Sequence, residues 1–167
     1  MNYRKLILLA ITVLPWLSFP FLGKQAIKRF TFASIFAGVL ILIQSVIAYN
    51  RGWWKVYTRL IPNVMGEVPF VIGPFYIGAL WILKLTYGKF MRYSLTNLGV
   101  DFFHIYVFVA WLKKLGIAAL IRLKNYQALL LFTANALAMY GFQFFIDKKI
   151  NPKKKKSLIK RIFTIDF

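Results

Sequence analysis

Apolar residues run along this chain in long blocks, separated by short clusters of Lys and Arg. Leu6–Gly23, Phe30–Asn50 and Asn125–Ile146 carry almost no charge over a length close to the ~20 residues a helix needs to cross the hydrocarbon core of a bilayer. Two further blocks are interrupted, one by Pro69, Gly73, Pro74 and Gly78, the other by Asn97, Asp101 and His104. Spans are therefore predicted at about 5–22, 30–50, 68–87, 93–112 and 126–146. The fold class that follows is an all-α integral membrane protein, a bundle of about five transmembrane helices. Residues 1–147 form its helical domain and 148–167 a basic tail.

The segments between the blocks refine this picture. Pro15 and Pro20 each remove a backbone donor, so the second half of the first span is expected to kink or end early. In Arg51–Met65 the apolar residues Trp53, Trp54, Val56, Tyr57, Leu60 and Ile61 are interleaved with Arg51, Lys55 and Arg59 at helix-like spacing. That mix predicts a short helix lying in the headgroup layer. Lys113–Lys124, basic at both ends around Leu115–Ile121, predicts a second interfacial helix. Pro15-x4-Pro20-Phe21 and Pro69-x4-Pro74-Phe75 share a spacing, but their flanks differ, and the likeness is read as coincidence.

Composition sharpens the class. The chain is 60% hydrophobic and 19% aromatic, and sets 23 Lys and Arg against 4 Asp and Glu, for a net charge of +19. The basic residues sit in loops and in one tail cluster rather than along a single soluble face. Anionic lipid headgroups are thus the expected counter-ions, and nucleic acid is not an expected partner. The tail residues Lys153, Lys154, Lys155, Lys156, Lys160 and Arg161 are the candidate lipid-binding group. They also predict a cytoplasmic C-terminus in a cell membrane. With the tail, that side holds fourteen basic residues against nine; without it, six against nine, so the orientation rests on the tail. The richness in Lys, Ile and Phe resembles small multi-span bacterial proteins.

Candidate chemistry is sparse. There is no cysteine and one histidine, which removes thiolate sites and any site built from two imidazoles of one chain. Asp101 and His104, spaced i,i+3, share a helix face with Asn97 one turn earlier. Ionisable groups at that depth belong to bundle interiors and need partners. The functional reading makes Asp101 and His104 a proton relay or substrate site; the plainer one has them satisfy each other, or has Asp101 pair with a basic residue. Glu67 stands where the positive end of the third helix dipole favours a carboxylate, and is a candidate third member of the site. No metal site and no cofactor are predicted.

No nucleophile-elbow, phosphate-loop or metalloprotease motif occurs, so nothing requires an enzyme. The leading expectation is a non-catalytic subunit or accessory protein that binds partner helices, or its own copies, and anionic lipid. The alternatives are a small proton-linked carrier or channel using Asp101 and His104, and a membrane-embedded enzyme acting on lipid.

Overall fold

The computed structural model describes residues 3–150. It is mostly helical, and five helices are long and apolar enough to cross a membrane: α1 (Tyr3–Leu22), α2 (Lys24–Arg51), α3 (Val68–Thr86), α4 (Phe90–Lys114) and α5 (Asn125–Ile150). The tail residues from Lys153 to Arg161 lie outside the described residues.

Proline shapes the first helix. It is α-helical from Tyr3 to Val13 and continues as a 3-10 helix over Leu14–Leu22. Pro15 and Pro20 cannot donate along an α-helix, and the tighter winding absorbs the lost bonds. Ser18 Oγ donates to the Pro15 carbonyl at 2.7 Å and accepts from Trp81 Nε1 at 3.0 Å, so the break is tied to α3. Lys84 Nζ donates to the Phe21 carbonyl at 2.9 Å.

The helices end where the backbone demands glycine. Gly52, at φ +65°, stops α2 in the left-handed region and returns its N–H to the Ala48 carbonyl. Gly116, at φ +66°, follows the end of α4.

The chain leaving these two turns does not form interfacial helices. Arg51–Met65 and Lys113–Lys124 instead contribute one strand each, β1 (Trp54–Val56) and β2 (Ala118–Leu120). They pair antiparallel, with Trp54 opposite Leu120 and Val56 opposite Ala118. Around Trp54 the apolar and basic side chains alternate with period two, half-buried Trp54 and Val56 flanking exposed Lys55. Backbone bonds extend the pairing, from Tyr57 N to Ile117 O at 2.8 Å and from Ile121 N to Trp53 O at 2.9 Å. Each strand supplies the backbone partners the other lacks, and neither segment alone reveals that.

The β1–β2 pair covers one end of the bundle. At that end Leu8, Phe70, Leu112 and Ile117 form one core cluster. A larger cluster, built on Leu22, Phe30, Leu83, Tyr93 and Tyr140, fills the opposite end. α2 lies centrally, against both α3 and α5. Close backbone approach fastens α1 to α3: a Cβ on Gly73 would stand 2.8 Å from the Thr12 backbone. Between the two apolar clusters lies a polar layer.

Candidate functional site

Two helices leave α geometry at the same place. α3 widens into a π-turn at Val71–Phe75, where Pro74 removes a donor, and α4 does so at His104–Phe108. Such turns expose side chains at positions a regular helix would not offer, and they recur at functional sites. Here the two π-turns face one another. The Phe75 ring stands 5.1 Å from the His104 imidazole, and Phe132 of α5 stacks on Phe75 at 5.7 Å and lies 5.5 Å from His104. Phe108 closes the cage at 5.3 Å. His104 is therefore packed among three phenyl rings.

Below this cage, between α2, α3, α4 and α5, lies a cavity of about 160 Å³. Asn97, Asp101 and His104 all line it, so the structure gathers those three predicted residues at one place. It does not join Asp101 to His104. Asp101 Oδ2 is buried with no hydrogen-bond partner among the described residues, and no basic side chain reaches it. Asn97 is buried and turns its amide Nδ2 back to the Tyr93 carbonyl at 2.8 Å. Asp101 and His104 are the two titratable groups in the wall; the faces of α2, α3 and α5 contribute none.

Glu67 stands apart, at the start of α3. Its backbone carbonyl caps the helix, accepting from Phe70 N and Val71 N at 3.0 Å each. Its carboxylate does not cap; Oε1 accepts instead from Trp54 Nε1 on β1 at 3.2 Å. Among the described residues no three His, Asp or Glu side chains converge as metal ligands. Glu67 nevertheless belongs to the same internal system. It lines both a surface cavity of about 330 Å³ and a deeper one of about 90 Å³ under the strands. His104, Phe75 and Phe132 in turn wall off the deeper one from the Asp101 cavity. Three cavities thus follow one another from the β1–β2 end into the bundle centre.

Other polar residues hold the bundle together. Gln44 and Asn135 exchange both amide bonds, at 2.7 and 2.8 Å, and join α2 to α5. At the end away from the strands, Arg29 pairs with Asp147 at 2.6 Å, and Gln143 Nε2 donates to the other Asp147 oxygen at 2.9 Å. Arg29 also lies over the Tyr87 ring at 5.0 Å. Burial, with the Asp147 carboxylate beside it, pushes the Tyr87 hydroxyl above its usual range. Tyr87, Tyr140 and Tyr93 then pack inward with tilted rings, centroids 5.2 and 4.6 Å apart.

Sequence reasoning missed this Arg29–Asp147–tyrosine plug. The signal for it was that four spans, an even number, separate Arg29 from Asp147 and so put both at the same end. It also missed the aromatic cage, because Phe75 and Phe132 read as ordinary apolar residues. Against protein-family models, curated proteins and solved structures alike, the chain finds no match.

Proposed function

We propose that this is a multi-pass cell-membrane protein acting as a small proton-linked carrier or channel, with Asp101 and His104 as the groups that take and pass protons. One observation carries the reading: Asp101, half-buried, keeps a buried Oδ2 with no hydrogen-bond partner among the described residues, at the inner end of three successive cavities whose shared walls hold Glu67 and His104. Structure alone gives no reason to keep such a group. An uncompensated carboxylate in a bundle interior costs several kcal/mol, roughly 2.5–3.5 on insertion scales. The Gln44–Asn135 pair shows how this bundle satisfies a polar group that serves only packing.

On the orientation that the tail's charge predicts, the Asp147 end faces the cytoplasm and the cavities open outward. The plug of Arg29, Asp147 and the three tyrosines would then be the inner gate. The test is proton flux into liposomes carrying the purified protein and an internal pH dye. A flux lost in both Asp101→Asn and His104→Ala supports the reading. Undiminished flux in both variants, or none from the wild type, overturns it.

A second reading, the accessory subunit, is favoured by α1. Its outward face carries Leu14, Leu17 and Phe21 at 61, 66 and 74% exposure, a surface that a partner helix or a second copy would cover as well as lipid does. A native mass spectrum from the source membrane distinguishes these: a second polypeptide in fixed ratio supports the subunit, and a lone chain counts against it. Anionic lipid binding by Lys153–Lys156, Lys160 and Arg161 completes the proposal. Loss of binding to phosphatidylglycerol vesicles on truncation at residue 150 would support it.

A further inference from the structure

The Asp101 cavity has a chemistry of its own, and three kinds of cation can be weighed against its walls. A proton alone would neutralise Asp101 and leave the cavity beside it unfilled. A hard metal ion needs six or so oxygens, at least several of them from the protein. Here Asp101 is the one carboxylate in the wall, and the Asn135 amide is already consumed by Gln44. An organic ammonium needs what is present: a single counter-ion, aromatic rings, and apolar surface for its carbon groups. Phe75 and Phe132 supply the rings, and Ile82, Val100 and Met139 the apolar surface. Cations bind aromatic faces within about 6 Å, most strongly where water is excluded.

Size limits the guest further. Drug-sized ligands occupy roughly 300–1,000 Å³. This cavity measures about 160 Å³. An engineered apolar cavity of about 150 Å³ holds one benzene molecule. The guest is therefore small, with about five or six non-hydrogen atoms on that scale.

We infer that the cavity between α2, α3, α4 and α5 is a binding site for a small organic ammonium ion, held by the Asp101 carboxylate against Phe75 and Phe132. The inference rests on the carrier reading, naming the substrate class of that same site. Cation and proton then compete for one carboxylate, which is the minimal arrangement for exchanging one against the other across a membrane.

The experiment is calorimetric titration of the purified full-length protein, in amine-free buffer, with tert-butylammonium and with its neutral isostere tert-butanol. Saturable binding of the ammonium and none of the alcohol is expected. Asp101→Asn should weaken ammonium binding by more than about tenfold, as removal of a buried charge partner does. If that variant does not fold, Gly78→Leu decides. Gly78 lines the cavity, and a Cβ added there meets nothing within 4 Å, so a leucine can grow from it into the space while leaving Asp101 intact. Loss of binding in Gly78→Leu supports the site. Equal binding of the alcohol, or undiminished binding in a folded Gly78→Leu, overturns it. Proton flux without ammonium binding would sink this inference and leave the carrier; ammonium binding without flux would sink the carrier and leave the site.

Discussion

Two carboxylates of this chain, both on helices long enough to span a membrane, are treated in opposite ways. Asp147 lies at one end of the bundle, with Arg29 on one oxygen, Gln143 on the other, and three tyrosines packed beneath it. Asp101 lies at the centre, with an Oδ2 that finds no hydrogen-bond partner among the described residues, facing cavities that lead toward the β1–β2 end. The first arrangement is what packing produces when a charge must be accommodated near an aqueous boundary: a bidentate set of donors, partly exposed. The second lacks the donors: its buried Oδ2 has no hydrogen-bond partner among the described residues. On the proposed reading, the contrast separates a charge that holds the bundle together from one that the bundle holds ready.

The contrast breaks most directly at Asp101. Asp101→Asn should reduce proton flux by about tenfold or more, in line with the loss of a positioned proton-transfer group, and should leave the melting temperature unchanged or raised. A variant that melted earlier by many degrees would recast Asp101 as structural. Next in size is Gly73→Ala, which drives a methyl group to 2.8 Å from the Thr12 backbone. It should destabilise the fold by about 1–3 kcal/mol, measured by denaturant titration in detergent, with α1 loosened from α3.

Smaller is Gln44→Leu, which strands the Asn135 amide. A cost of about 0.6–1.7 kcal/mol is expected, and a double-mutant cycle with Asn135→Leu should recover most of it. Arg29→Ala should be milder still, about 0.2–1 kcal/mol, since the Arg29 side chain is 46% exposed and solvent screens the pair.

The smallest effect concerns Tyr87. Its hydroxyl holds its proton more tightly folded than unfolded. The unfolded chain therefore ionises first as pH rises. Stability is full below the ordinary tyrosine range and falls once pH climbs through it. Tyr87→Phe should flatten that alkaline decline in a melting series.

The five long helices were legible because bilayer-scale apolar length is a local property. Reading 30–50 or 126–146 needs no knowledge of the rest of the chain. The strands were not legible, since Trp54–Val56 finds its partners more than sixty residues away, and Ala118–Leu120 has no strand signature of its own. That Asn97, Asp101 and His104 line one cavity was legible because helical spacing put them on one face. That Asp101 and His104 would ignore each other was hidden, because it depends on phenyl rings from α3 and α5 that cage the imidazole. Glu67 was read as a helix-dipole carboxylate; its indole partner comes from a strand that was not foreseen.

The 3-10 winding of Leu14–Leu22 has a consequence for reach. That winding rises about 2.0 Å per residue against about 1.5 Å for an α-helix. Over its nine residues the stretch gains some 4–5 Å, so α1 extends to about 34 Å on twenty residues rather than about 30 Å. By trading girth for length, two prolines give a helix of only twenty residues the reach of a hydrocarbon core of full thickness.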